Sequence, residues 1–444
     1  MKSDANPPRV VVVGAGFGGM QTAQSLAKSG ADVLLIDRNN YNTFVPLLYQ
    51  VAAAQIEPES IAYPLRTVLR RTNRTQFMLA NVQRVDFDHQ LIETDNAVVP
   101  YDYLVLATGS QTQFMGVPGA TDYAFALRTL DQAVTLRNHI LQRFEQAIRE
   151  PDPIRRKQLL SFVIVGGGPT GVEMAGTLIE LKKSLRHDYP GLNWQDMQVV
   201  LVQSGDNLLV NLPAKLGRYT ARKLHRLGVK LYFNVRVSRV TDSRVELSDG
   251  CTLSAGTVVW AAGLEAATPE MAVEPQTARK RKLTVRSTLQ LTDHDTVYAI
   301  GDVAYGESNG KPLTGVAPEA LQQGVAVARN IRRQLLGKSP KPFSYLNKGR
   351  LAIIGGYGGV GKIGPMLLTG FLPWLMWLSV HLVYLPGFRN RLMVLLNWLH
   401  GYGRGDRAIR LILSPKSLVA RPLMPSGSHP EKRTVMHPYG NTTT

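Results

Sequence analysis

Apolar runs that stop abruptly in glycine set the rhythm of this chain. RVVVV, Arg9 to Val13, is β-branched and apolar, ends at Gly14-x-Gly16-x-x-Gly19, and continues with helical spacing from Gln21 to Lys28. Strand, tight turn and helix in that order predict the opening of a Rossmann unit. Gly14 permits the turn, Gly16 removes a side chain that would keep a pyrophosphate off the backbone, and Gly19 lets the helix lie close on the strand. A second strand, VLLID, ends in Asp37, at the distance expected of an acid that takes a ribose hydroxyl. SFVIVGGGPTGVE, Ser161 to Glu173, repeats the arrangement with Gly166-x-Gly168-x-x-Gly171. The same parts follow each turn: alternating segments around VQRVDFDHQLIET and then YDYLVLATG to Gly109 in the first copy, LYFNVRVSRVTDSRVELSDG and then TVVWAAG to Gly263 in the second. Two such copies imply two bound dinucleotides.

A late apolar strand, TVYAIGDVA from Thr296 to Ala304, is expected to return the chain to the first unit and to aim Asp302 at its ligand. The expected fold class is α/β: two Rossmann-like dinucleotide-binding domains with β-meanders, the second inserted in the first, plus C-terminal amphipathic membrane-anchoring helices. Residues 1–121 and 295–345 form the first domain, 122–294 the second, 346–423 a membrane-association and dimerisation region, and 424–444 a disordered polar tail. Met366 to Pro386 is long and apolar enough for a bilayer span, but Pro373, His381 and the following Arg389 and Arg391 oppose one. Together with Leu392 to Leu399 it reads as two helices broken at Pro386-Gly387, lying in the interface with Trp374, Trp377 and Trp398 at headgroup level. A dimer contact could use the same apolar faces.

Charge changes the picture in one respect. The net charge of +18 calls for an anionic partner. Basic clusters such as Arg155-Arg156-Lys157 and Arg279 to Lys282 are scattered and no nucleic-acid-binding motif accompanies them, so an anionic lipid surface is expected and nucleic acid is not. The single cysteine, Cys251, excludes a CxxC redox pair and a thiolate metal site; no metal is expected. MKSDANPP has no apolar signal region, which fits the cytoplasmic side.

Two glycine motifs, the turn Ala107-Thr108-Gly109 and the terminal Gly301-Asp302 resemble the two-dinucleotide flavoprotein reductases. PLLYQVA, within Asn40 to Arg66, TVVWAAG and FLPWLMWLSVHLVYLPGFRNRL are similar to type II NADH:quinone oxidoreductases, so the resemblance runs from Arg9 to about Leu413. It implies FAD-dependent transfer of two electrons from NADH, with NADPH also admitted, to a membrane quinone without proton pumping. The enzyme would be a peripheral, monotopic homodimer on the cytoplasmic face of the cell membrane, serving a respiratory chain.

By that resemblance FAD would meet Gly14, Gly16, Phe17, Gly18, Gly19, Asp37, Arg38, Val82 near the adenine, Ala107, Thr108, Gly109 and Asp302. NAD(P)H would meet Gly166, Gly168, Pro169, Thr170, Gly171, Glu173, Gln203 and Gly263. Quinone would meet Pro46, Leu47, Leu48, Glu319 and Gln322, with Glu173 and Gln322 as the catalytic pair. Two positions depart from the family pattern. Gln203 stands where a glutamate usually ends the second strand of the NAD unit, which weakens discrimination against NADPH. Pro318 stands where a first glutamine usually precedes the second by one helical turn. Two alternatives are an FAD-dependent NAD(P)H reductase of a ferredoxin- or rubredoxin-like carrier, against which PLLYQVA and the apolar C-terminus argue, and a non-catalytic FAD-binding redox sensor, against which the two intact glycine turns and Asp302 argue.

Overall fold

A computed structural model describes residues 7–412 apart from 28, 71, 73, 274, 309 and 405–408. The expected tail, 424–444, and the end of the C-terminal region, 413–423, lie outside the described residues. The first sheet has six strands in the order Gln290–Leu291, His294–Ala299, Tyr103–Leu106, Arg9–Val13, Asp32–Asp37, Thr75–Leu79. All neighbours are parallel except the first pair. Val10 to Val13 are buried, as expected of a central parallel strand covered on both faces. Helix α1, Phe17–Leu26, leaves the first glycine turn and lies against a later helix. The second sheet, Ala124–Ala126, Thr257–Trp260, Ser161–Val165, Gln198–Val202, Val229–Tyr232, is parallel throughout. Its first helix is α2, Pro169–Leu185. Each unit carries a three-stranded antiparallel meander, Val82–Asp86 to Val98–Pro100 in the first and Val237–Val240 to Thr252–Ser254 in the second.

The chain enters the second sheet at Ala124–Ala126 and leaves it well before residue 294. Leu264–Ala266 pairs with Ser110–Thr112, and Glu270–Met271 joins the first meander beside Val82–Asp86. Met271, Leu283, Val285, Leu289 and Leu291 are buried in the core of the first sheet. The boundary expected at 294/295 is thereby corrected to a crossing just after Gly263. The strands in this stretch are two or three residues long, too short for their periodicity to reveal which sheet they join.

Helix α3, Ala317–Leu335, packs along α1 where Gly324 meets Gly18; an added Cβ on Gly324 would lie 2.5 Å from the Gly18 carbonyl oxygen. A three-stranded antiparallel sheet follows, Arg350–Gly355, Gly358–Ile363 and Met366–Gly370, and then helices α4, Phe371–Tyr384, and α5, Phe388–Arg404. The apolar run from Met366 is thus spent partly as a strand. Among the described residues no helix is long and apolar enough to cross a membrane. Phe371, Leu372 and Val383 of α4 and Phe388, Leu396 and Leu399 of α5 are exposed. The three tryptophans behave differently from expectation: Trp374, Trp377 and Trp398 are buried in the core. Their aromatic surface is spent on packing against Tyr357, Tyr49, His381 and each other. The glycine-rich turn after Ile354 also has a physical account. Gly176 of α2 lies so close to the strand that an added Cβ would sit 1.8 Å from the Ile354 carbonyl oxygen, and Gly359 leaves room for the Trp374 amide. Helix, strand and α4 can stack only with hydrogens at these points.

Candidate active site

The two glycine turns open on one cleft of about 360 Å³. Gly16, Phe17 and Gly18 reach it from the first turn; Pro169, Thr170 and Glu173 reach it from the second. Within each turn the outer glycines are jammed. Gly14 (φ 99°) leaves no room for a Cβ beside the Ala107 carbonyl, and a Cβ on Gly19 would lie 1.8 Å from the Gly14 oxygen; Gly166 (φ 110°) and Gly171, 1.9 Å from the Gly166 oxygen, repeat this. The middle glycines, Gly16 and Gly168, would meet nothing within 4 Å. Each is the N-cap of its helix and forms no side-chain cap bond, so amide groups at positive helix ends face open space. That is a cradle shaped for an anionic pyrophosphate. The buried hydroxyl of Thr108, which has no hydrogen-bond partner among the described residues, lies between Ala107 and Gly109, which line the cleft.

Behind each turn stands one acceptor. Asp37 takes the Ala15 amide at 2.6 Å and the Asn39 amide at 2.8 Å. Burial pushes its carboxyl above the ordinary value against the lowering pull of those amides and of Arg38. Gln203 holds the corresponding place in the second unit, its Oε1 accepting the Gly167 amide at 2.8 Å. Arg38 is exposed, and neither it nor Val82, which opens the meander paired with Thr94, borders the cleft.

Asp302 lines the cleft on a turn of 3-10 helix, Gly301–Val303. Its carboxylate accepts from Ser110 Oγ at 2.7 Å and forms a 2.5 Å ion pair with Arg128. Arg128 stands just before the Thr129–Gln132 capping box that starts the helix Leu130–Ala147, which fixes where its guanidinium emerges. Gln323, buried on α3, accepts the Gly301 amide at 2.6 Å and pins the same turn. Sequence reasoning missed both residues. The capping box, readable as TLDQ, was the available signal for Arg128.

Glu173 is buried, and the Ile353 amide donates to it at 3.4 Å. Desolvation pushes its carboxyl up to about 8, against the pull of that amide and of Trp377. Tyr49, also fully enclosed, receives a 3.1 Å bond from Gln50 Nε2, and Gln50 Oε1 accepts the Trp398 indole at 2.9 Å. The PLLYQVA segment is thereby tied to α5. His381 is a third residue that reasoning from sequence did not place here. It borders the cleft, stacked on Trp377 at 3.7 Å between ring centroids. Burial pushes its imidazole down to about 4, so it is neutral at pH 7. Nδ1 lies 2.7 Å from the Trp377 carbonyl and donates to it, which leaves Nε2 an acceptor.

Three expected quinone contacts are corrected. Pro46, Leu48 and Tyr49 border the cleft, but Leu47 is buried in the core, because the 3-10 turn Val45–Leu47 passes into helix there and rotates it away. Glu319 is buried and accepts from the Thr314 and Gly315 amides and the Thr314 hydroxyl at 2.7, 2.9 and 3.0 Å; it shapes the loop that borders the cleft without facing it. Gln322 lies on the outer face of α3, its amide bonded to the Leu346 backbone by two 3.0 Å contacts. Gly263, Gly109 and Ala107 border the cleft.

This geometry agrees with what the chain is similar to. The pyridine nucleotide-disulphide oxidoreductase family matches residues 8–324. The type II NADH:quinone oxidoreductase Ndh of Mycobacterium tuberculosis is 36% identical over 417 residues, covering 89% of this chain and 88% of its own. The type II NADH:quinone oxidoreductase of Staphylococcus aureus is 29% identical over 375 residues, covering 82% and 91%. Among solved structures, NDH2 from Plasmodium falciparum in complex with NADH superimposes with a TM-score of 0.84 at 21% identity, over 92% of this chain and all (100%) of that one. The sulfide:quinone oxidoreductase of Aquifex aeolicus does so at 0.69 with 19% identity, over 87% and 92%. The chain belongs to the pyridine nucleotide-disulphide oxidoreductases and, within them, to the type II NADH:quinone oxidoreductases.

Proposed function

We propose that this chain oxidises NADH and reduces a quinone through one FAD, held at the first glycine turn while the nicotinamide dinucleotide lies at the second. The observation that carries the reading is the convergence of both turns on a single cleft that also contains PLLYQVA residues. The flavin, when bound, supplies the two-electron chemistry. The chain binds and aligns. Gly16 and the α1 amides would hold the FAD pyrophosphate, Asp37 its adenosine ribose, and Asp302, fixed by Arg128 and Ser110, its sugar chain. Gly168 and α2 would hold the nicotinamide dinucleotide, with Glu173 beside its reactive end. Pro46, Leu48, Tyr49, Trp377 and His381 line a wall of the cleft against which a quinone ring would fit. The exposed side chains of α4 and α5 form a face on which the protein would rest on the membrane, or pair with a second copy. The test is a flavin spectrum followed by anaerobic reduction with NADH and reoxidation with a short-chain quinone. Reoxidation by a ferredoxin but not by quinone contradicts the reading.

Donor choice follows from Gln203. It performs the backbone task of Asp37 without the charge, so a 2′-phosphate beside it meets no repulsion. Wild-type protein is expected to use NADPH appreciably, and Gln203→Glu to raise the NADH:NADPH ratio of kcat/KM about tenfold. A wild-type preference for NADH above roughly a thousandfold contradicts this.

A further inference from the structure

On the far side of α3 from the cleft lies a groove of about 870 Å³ that the redox reading leaves unused. Its floor is apolar: Leu321 and Val325 of α3, Phe343 opposite, and Tyr384 at the end of α4. Its rim is basic: Arg329, Arg332, Arg333, Lys338, Lys341 and Lys348, with no acidic residue among the described residues that line it. Among the described residues none of these six forms an ion pair, although Arg333 donates to the Ser339 carbonyl at 2.7 Å. The wall opposite α3 is an irregular strap that runs from residue 338 to residue 349, and it is fastened at three points. Besides Arg333 to Ser339, Asn330 exchanges two 2.9 Å bonds with the Lys341 backbone, and Gln322 exchanges its two with Leu346. The strap is thus fastened to α3, and the six basic residues lie along one concave groove.

We infer that this groove binds one anionic phospholipid molecule, its phosphate against the basic rim and an acyl chain along the floor. An apolar floor with a cationic rim selects an amphiphile that is negative at one end. The volume lies within the range of small-ligand sites and is concave, whereas a docked acidic protein needs a broader surface. Tyr384 lies on the same helix, α4, as the exposed apolar side chains Phe371, Leu372 and Val383. The site deepens the membrane-facing reading of α4 and α5 but requires no membrane contact by them.

The experiment titrates full-length protein with monomeric dihexanoylphosphatidylglycerol, dihexanoylphosphatidylcholine and inorganic phosphate, by calorimetry. Saturable binding of the phosphatidylglycerol is expected, with the other two weaker by about tenfold or more. The triple substitution Arg329→Gln, Arg332→Gln, Lys341→Gln is expected to weaken phosphatidylglycerol by about tenfold or more, with flavin content and NADH-dependent flavin reduction unchanged. The charge-keeping set Arg329→Lys, Arg332→Lys, Lys341→Arg retains binding, which separates charge from folding. Phosphate binding as tightly as the lipid would make this a free-phosphate site and overturn the proposal. Equal binding of both lipids, an unaffected triple variant, or no binding by the wild type overturns it as well. Flotation with phosphatidylcholine vesicles reports docking by α4 and α5 separately, so failure of that reading is distinguishable.

Discussion

Gly176→Ala is expected to lower stability by roughly 3 kcal/mol, since the new methyl group would have to occupy the place of a backbone oxygen. Its Cβ would lie 1.8 Å from the Ile354 oxygen and 2.6 Å from the carbonyl carbon, and neither belongs to a side chain that can swing away. Helix α2 and the strand Arg350–Gly355 must part. The melting temperature should fall by about 5 °C, and because Glu173 and the Ile353 amide face each other across this contact, flavin reduction by NADH should slow while flavin content is kept. Gly168→Ala on the same helix is the contrast. Its Cβ meets no protein atom within 4 Å, so stability should hold while the KM for NADH rises about tenfold, as a methyl group enters the pyrophosphate cradle. A Gly176→Ala protein that melts within about 1 °C of wild type contradicts the close approach.

Gly14, Gly19, Gly166 and Gly171 show what a sequence can disclose, whereas Gly176, outside any spaced motif, gives no such signal. A glycine demanded by backbone contact inside a strand-turn-helix motif leaves a spaced pattern, so both Rossmann turns, their strands and the inserted order of the two units are legible from one chain. Side-chain direction on a known helix is not. Gln322 and Gln323 are neighbours, and a rotation of about 100° decides which one meets the Gly301 turn and which faces the outer groove. The contact of Gly324 with Gly18 sets that rotation, and those partners are some three hundred residues apart, as the 302-residue span of the Thr22 bond to Gly324 shows. Leu47 and Leu48 differ for a similar local reason, the passage from 3-10 to α geometry. The capping box fixes where Arg128 emerges, but its pairing with Asp302, 174 residues on, leaves no local pattern. The tryptophans misled because an aromatic beside arginines suits a headgroup layer and a packed aromatic core alike.

The wild-type protein is expected to show a pH transition near 8, and Glu173→Gln to abolish it. Burial holds the Glu173 carboxyl at about 8, against an ordinary value of 4.5, so the folded protein keeps this proton where the unfolded chain has lost it. A raised carboxyl contributes stability that is complete below the unfolded value and is lost as pH rises through the folded one. Wild-type stability should therefore decline between those pH values by something on the order of 4 kcal/mol relative to Glu173→Gln, whose amide does not ionise. Urea midpoints of both proteins at pH 5 and pH 9, about the ends of this window, measure it. His381, pushed down to about 4, adds a pH dependence of opposite sign below its unfolded value, but both proteins carry it and it cancels in the comparison, while Tyr49, raised well above its ordinary value, remains protonated. Ligand binding should report the same group. Once ionised, a carboxylate in a low-dielectric wall attracts the cationic nicotinamide of NAD+, so the wild-type Kd for NAD+ should fall about fivefold from about pH 7 to 9, while Glu173→Gln stays level. If both proteins tighten equally, the charge that NAD+ meets is not that of Glu173.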